Sequence, residues 1–316
     1  MKTYQIANTD LTVSRLSLGC MNWGSGDAPA RAGQLLATAL EQGITHFDHA
    51  DIYARGKSEA LFGEALKQIP GARDKIVLQS KCGIRFSNDP KPGDPGRYDF
   101  SYAHIIEAVE GSLARLQTDH LDLLLLHRPD ALAEPEEVAR AFDELQRGGK
   151  VRYFGVSNHT PAQIELLKRY VSQPLVANQL EVNILHSYMI EEGVMTNQTG
   201  ARYTAGAGLI DYCRLHDILV EAWSPLAGGQ LINPASKTAG PVQVAAARVA
   251  ELAEAHGTTR EAIALAWLLR HPAGIQPIIG TTQVDRLVDS CAADSVELSR
   301  EEWYSLLEAS RGAGMP

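Results

Sequence analysis

T-H-F-D-H-A-D-I-Y, residues 45–53, is the stretch on which the reading of the fold turns. It starts as a short strand signal after Gly43 and ends in polar residues, so its last positions leave a sheet at the strand's carboxyl end. Asp48 and Tyr53 are five apart across that exit, which lets a carboxylate and a phenol face one pocket. A phenol with its ordinary pKa of about 10 is a poor acid at neutral pH. A nearby ammonium would lower it. The next strand, I-V-L-Q-S-K-C, supplies one as Lys81, and the strand after that, L-D-L-L-L-L-H-R-P, ends in His127. Three successive strands thus bring Asp48 with Tyr53, Lys81 and His127 to one edge.

The same alternation of strand and helix runs outward in both directions. Residues 4–6 and 11–13 flank the turn signal N-T-D and predict a small hairpin. Residues 16–20 read as a buried strand, followed by the loop Gly24-Ser25-Gly26 and a helix over about 29–42, with Asp27 as its candidate cap. Past His127, strands are expected at 153–157, 177–182, 219–224 and 275–280, each separated by a helical pattern. Capping boxes are expected at Thr160 with Gln163, at Thr258-Thr259-Arg260-Glu261, and before the terminal helix at Ser299. Long loops fall at 83–100, 184–208 and 226–241, a length that in a compact domain usually serves function. Eight strands alternating with helices imply parallel pairing through right-handed crossovers. The expected fold is a single (β/α)8 barrel over 1–316, with its site at the strands' carboxyl ends. An open doubly wound sheet is the rival, and no G-x-G-x-x-G follows an early strand to support it.

Net charge is −9, from 29 basic and 38 acidic residues, which disfavours nucleic acid and anionic membranes as partners. No apolar run approaches the roughly 20 residues that span a bilayer. The start M-K-T-Y-Q-I-A-N-T-D has no apolar signal core, so a cytoplasmic location is expected. Cys20, Cys82, Cys213 and Cys291 are scattered without a C-x-x-C pair and read as free thiols.

F-D-H-A-D-I-Y, Q-S-K-C, L-L-H-R-P, G-V-S-N, N-Q-L-E, W-S-P-L and P-I-I-G-T-T…R, in that order and spacing, resemble the aldo-keto reductase superfamily. The resemblance runs from Arg15 to about Ser290, and is nearest to bacterial oxidoreductases with H-A-D-I-Y and H-R-P-D variants of the motifs. It implies a one-domain barrel that binds NADPH without a Rossmann unit and reduces an aldehyde or ketone by hydride transfer. Tyr53 would be the general acid, Lys81 would lower its pKa, Asp48 would hold Lys81, and His127 would direct the carbonyl. Ser157, Asn158 and Gln179 match positions that bond the nicotinamide carboxamide, and Trp223 matches the aromatic against that ring. Ser224, Leu226 and Gly228 match the loop over the pyrophosphate. Gly280, Thr281, Thr282 and Arg286 match the site of the adenosine 2′-phosphate, with Ser290 near the adenine. Many relatives carry Lys at the position of Gly280 and Asn at that of Ser290, which implies a moderate preference for NADPH. Met21, Trp23 and Arg128 are the candidate contacts of a small carbonyl substrate.

Two other classes stay open at this point: a metal-dependent barrel hydrolase and a non-catalytic subunit that senses cofactor. His46, Asp48, His49 and Asp51 invite the metal reading, but alternation puts His46 and Asp48 on one side of the strand and His49 on the other, so no metal is expected. The intact Tyr53–Lys81 pair speaks against a pure sensor. Asp51 and Arg128, at the ends of the second and fourth strands, are expected to form an ion pair that fixes the Tyr53 loop and orients His127; the rival reading is that Arg128 faces the substrate and recruits a carboxylate.

Overall fold

The computed structural model describes residues 1–26, 28–195, 206–235 and 239–316. Asp27, the candidate cap, lies outside them, as do 196–205 of one long loop and 236–238 of another. Eight parallel strands close into a barrel. In chain order they are β1 (Ser17–Gly19), β2 (His46–Asp48), β3 (Val77–Cys82), β4 (Leu121–Leu126), β5 (Val151–Ser157), β6 (Leu175–Glu181), β7 (Leu219–Trp223) and β8 (Gln276–Ile279). Each strand pairs with the next in sequence, and β8 returns to β1 through Ile278 beside Ser17. The doubly wound alternative is thereby excluded.

Local chemistry starts and stops the helices much as the residues foretell. Thr160 and Gln163 form a reciprocal capping box before Pro161–Lys168, and Ser299 with Glu302 does the same for Arg300–Arg311. Ser101 caps Tyr102–Leu116 by accepting from the His104 N–H. The helix Arg260–Leu269 departs from expectation: its cap is Thr259, which accepts from the Ala262 N–H, so Glu261 is one residue short of closing a box. The long loops are also less bare than their composition suggests. Residues 83–100 contain a two-stranded ribbon, Ile84–Arg85 against Arg97–Tyr98, and the next long loop holds the helix Tyr188–Val194.

One device closes the barrel's amino-terminal end, and another ties two outer helices together. At the amino-terminal end the hairpin Thr3–Gln5 and Thr12–Ser14 sets Ile6, Leu11 and Val13 against Val77, Leu123, Leu125 and Val176, a small apolar plug under the strands. Between the helices Arg260–Leu269 and Arg300–Arg311, Trp267 and Trp303 stack with ring centroids 5.1 Å apart. Each indole N–H donates to the other's backbone carbonyl, at 3.1 and 2.9 Å. No helix among the described residues is long and apolar enough to cross a membrane.

Above the plug the barrel interior turns polar. Asp48, Gln79, Lys81, Gln179, Glu221, Gln276 and His46 are all buried. The strand wall around them is tightly packed, as at Gly155 on β5. A methyl group there would lie 2.6 Å from Leu125 Cδ2 and 2.7 Å from the Ala177 carbonyl oxygen. Gly155→Ala is therefore expected to cost about 1–3 kcal/mol, as overpacking of a filled core does. Urea midpoints would measure it, and an unchanged midpoint would show that the wall yields freely.

Candidate active site

β2 ends at Asp48 and the chain then turns over the barrel mouth to reach Tyr53. That turn is pinned from below: the N–H of His49 donates to the Gln79 carbonyl at 2.9 Å and that of Asp51 to the Lys81 carbonyl at 3.0 Å. Tyr53 opens a short helical turn, Tyr53–Gly56, in which Ala54 and Arg55 take left-handed φ values of 48° and 56°. Such backbone costs a residue with a side chain on the order of 1–2 kcal/mol, and it bends the loop so that Tyr53 faces inward.

Lys81 comes from the next strand and is fully buried. Its ammonium donates to Asp48 Oδ1 at 2.7 Å, to the His49 carbonyl at 2.7 Å and to the Tyr53 hydroxyl oxygen at 2.9 Å. Three N–H groups thus have three acceptors. Burial alone depresses the Lys81 pKa, but Asp48 and Tyr53 reverse this and hold the group charged. Burial likewise raises Asp48, and Lys81 outweighs it, leaving the carboxyl below its usual range. Because Tyr53 accepts from Lys81, its own proton is free to point into the cleft.

The phenol's pKa moves against the sequence-based expectation. Burial raises it, Lys81 lowers it, and burial wins. Tyr53 therefore keeps its proton at neutral pH, which is the form a proton donor needs. His127 stands across from it, edge to face, with ring centroids 5.9 Å apart. Burial, then repulsion from Lys81, brings the imidazole down to about 3, so it is neutral.

A cleft of about 1210 Å³ runs from this corner across the carboxyl ends of the strands. Asp48, Tyr53 and His127 border it, with Met21 and Arg128 at the same end. Ser157, Asn158, Gln179 and Trp223 line its middle, Ser224, Leu226 and Gly228 one wall, and Gly280, Thr281, Arg286 and Ser290 the far arm. Lys81 lies behind Tyr53 rather than on the lining, and Thr282 is not on it either. Trp23 needs correcting: it is wholly buried against Phe62, ring centroids 5.5 Å apart, and cannot touch a substrate. The turn after β1 points Met21 outward and Trp23 inward, so the apolar ring went to the core.

A second correction concerns Asp51 and Arg128, which do not pair. Arg128 lays its guanidinium over the Trp223 ring, 5.5 Å from the centroid. Asp51 faces the other way, towards Glu59 and Arg115. Burial and then Glu59 push its carboxyl up to about 7 against the pull of Arg115, and its Oδ1 has no hydrogen-bond partner.

Several residues that hold the site were not singled out from the sequence. Glu59 is wholly buried beneath the Tyr53 loop and accepts from Arg115 Nε at 2.7 Å and Ser80 Oγ at 2.6 Å. Gln79 donates to Asp48 Oδ1 at 2.7 Å and Glu221 Oε2 at 2.8 Å. Gln179 bridges the same two carboxylates at 3.0 and 2.8 Å. The available signal was a Gln and a Glu at inward positions of apolar strands, V-L-Q-S-K and L-V-E-A-W.

The residues along the middle and far arm fit a nicotinamide dinucleotide. Gln179 spends its amide N–H groups on Asp48 and Glu221, which leaves its carbonyl oxygen as an acceptor for a carboxamide. Trp223 Nε1 donates to Asn158 Oδ1 at 3.1 Å and so fixes which way that amide faces. Ser224, Ala227, Gly228 and Gly229 all have positive φ, and the N–H groups of Ala227 and Gly229 donate inside this turn, to the carbonyls of Ser224 and Leu226 at 2.9 Å. A Cβ added at Gly228, Gly229 or Gly280 would meet nothing within 4 Å. Among the described residues no group of three or more His, Cys, Asp or Glu is placed to hold a metal ion.

Comparison with known proteins agrees with this geometry. The model of the aldo/keto reductase family matches residues 15–311. The chain is 37% identical to the oxidoreductase YcsN of Bacillus subtilis, covering 100% of both chains. It is also 37% identical to the 6-dehydroglucose reductase of Novosphingobium aromaticivorans, over 99% of this chain and 96% of that one. The holo form of the aldo-keto reductase AKR11C1 from Bacillus halodurans superposes with a TM-score of 0.78 at 26% identity, covering 99% and 98% of the two chains. A barrel with this site is an oxidoreductase. The chain belongs to the aldo/keto reductase family.

The Asp51 carboxyl gives a pH test with a definite sign. Its pKa rises on folding from an ordinary value near 3.9 to about 7. The fold is favoured with the proton on, so this contribution is whole below about pH 4 and is lost as pH rises through 7. Asp51→Asn cannot ionise, so its stability relative to the parent should grow between pH 5 and pH 8. Denaturant midpoints at both pH values measure this; parallel curves would place Asp51 in an ordinary aqueous setting.

Proposed function

We propose that the chain is an NADPH-dependent reductase of aldehydes or ketones, with Tyr53 as the proton donor. The observation that carries this reading is the Lys81 ammonium bonded at once to Asp48 and to the Tyr53 oxygen, at 2.7 and 2.9 Å. That arrangement serves proton transfer rather than mere ion pairing. The cofactor, when bound, supplies a hydride to the carbonyl carbon. Tyr53 donates its hydroxyl proton to the oxygen, where negative charge develops, and Lys81 stabilises the phenolate left behind. Neutral His127 offers an N–H to the same oxygen and fixes the direction of the carbonyl. Asp48 keeps Lys81 charged throughout. Asn158, Gln179 and Trp223 would hold the nicotinamide end, the 224–229 turn the pyrophosphate, and Thr281, Arg286 and Ser290 the adenosine end, where the helix Val284–Cys291 begins.

Tyr53→Phe should reduce turnover on aldehydes by about 10²–10⁴ while leaving NADPH binding by calorimetry within a few-fold of the parent. A variant with parental turnover would remove Tyr53 from the role of acid.

Cofactor choice rests on Arg286, an exposed cation on the cleft's far arm. Losing a charge-assisted hydrogen bond of about 1.5–3 kcal/mol should cut the preference for NADPH over NADH by roughly ten- to a hundredfold in Arg286→Ala. With Gly280 contributing no cation, the parent's preference is expected to be moderate. Equal kcat/KM with both cofactors in the parent would reject the assignment to NADPH.

A further inference from the structure

The cleft's charges do not balance. Among the described residues its lining includes Arg55, Arg128 and Arg286 but only two carboxylates, Asp48 and Glu261. Asp48 is taken by Lys81. Arg286 sits on the far arm with Glu261, which leaves Arg55 and Arg128 at the end where Tyr53 and His127 stand.

Arg55 is exposed and Arg128 half-buried, and the two are held unlike four half-buried arginines elsewhere in the fold. Arg73, Arg85, Arg115 and Arg152 each meet a carboxylate at 3.0 Å or closer. Among the described residues Arg55 and Arg128 have no such partner, in a chain that carries nine more acidic than basic groups. Each lies instead on an aromatic face, Arg55 at 4.3 Å from the Phe86 centroid and Arg128 at 5.5 Å from that of Trp223. Glu181 borders the small side pocket that Arg128 also touches, yet no ion pair joins them. An aromatic platform fixes the plane of a guanidinium and leaves its fork of N–H donors unspent. The placement of Arg55 is also strained, since it occupies the left-handed region at φ 56° two residues after Tyr53. Strain of this kind persists where the surrounding structure holds it, and it gathers at ligand clamps.

We infer that the preferred substrate carries an anionic group, a carboxylate or a phosphate monoester, bound by Arg55 and Arg128 while its carbonyl lies at Tyr53 and His127. This rests on reading the cleft as a carbonyl-reducing site. Arg128 binds from the strand end behind His127, and Arg55 from the Tyr53 loop with Phe86 of the 84–98 ribbon as its backing. An anion seated there also tethers the Tyr53 loop to the carbonyl it protonates.

The test uses the full chain with NADPH and two matched pairs of substrates: succinic semialdehyde against butanal, and glyceraldehyde 3-phosphate against glyceraldehyde. At low ionic strength kcat/KM should favour the anionic member of at least one pair by about tenfold or more, and the favoured pair tells carboxylate from phosphate. Added salt should shrink that ratio. Arg55→Gln and Arg128→Gln should each lower it by about 10- to 100-fold, the loss of one charge-assisted contact. Arg55→Lys and Arg128→Lys should recover part of it. Thermal melts close to the parent's confirm that each variant is folded. Ratios near one in both pairs, or ratios unmoved in both Gln variants, would overturn the inference. If no carbonyl compound is reduced, the reductase reading falls instead. Calorimetric binding of succinate and glycerol 3-phosphate to the NADP⁺-loaded parent and Gln variants then still decides the clamp, with equal binding in all three overturning it.

Discussion

A lysine ammonium carried out of water has to be given acceptors by the chain, and Lys81 is given three. Everything near the barrel mouth follows from that demand. The Asp48 carboxylate must also be desolvated to reach it, and burying either ion alone costs several kcal/mol. Gln79 and Gln179 meet this by donating to the same Asp48 oxygen that Lys81 uses. Their other bonds run to Glu221, so the layer below the reactive corner sets two amides between two carboxyl groups, with Gln79 Oε1 and Glu221 Oε1 left without a partner. The Tyr53 hydroxyl is then the only member of the set that faces the cleft with a proton to give.

This explains why the barrel interior here is not the apolar filling that parallel strands usually enclose. Lys81, Gln79 and Gln179 occupy the centre because each bonds the buried Asp48 carboxylate. The apolar share of the core is displaced outward, to the layer between strands and helices, and downward, to the hairpin plug. Beneath the Tyr53 loop the same economy recurs with Glu59, Arg115 and Ser80, so the loop rests on a buried ion pair instead of on packing alone.

Strand ends were legible in the sequence because Asp48, Lys81 and His127 break apolar runs at the point where a parallel strand leaves the barrel. Barrel closure followed from the count and alternation of those runs. Loops were less legible, because a loop residue's direction is set by contacts made elsewhere. Trp23 reads as a wall of the cleft until the hydrophobic pull of Phe62 is known. Asp51 and Arg128 read as partners until the burial of the carboxyl near Glu59 and the seat of the guanidinium on Trp223 are known. Glu221 escaped notice for a different reason: a single charged residue in L-V-E-A-W resembles an outward position, and only the ring of neighbouring strands reveals that it points to the axis. The phenol of Tyr53 was misjudged in direction because desolvation, which raises its pKa, depends on a burial that spacing does not report.

The chain holds four tryptophans, and the fold divides them unevenly. Trp267 and Trp303 are locked to each other between two outer helices and Trp23 is sealed in the core, whereas Trp223 alone borders the cleft with a cation lying over its face. Intrinsic fluorescence is thereby sorted in advance: three indoles give a constant background, and any quenching or spectral shift that accompanies a ligand reports from a single known position at the centre of the site.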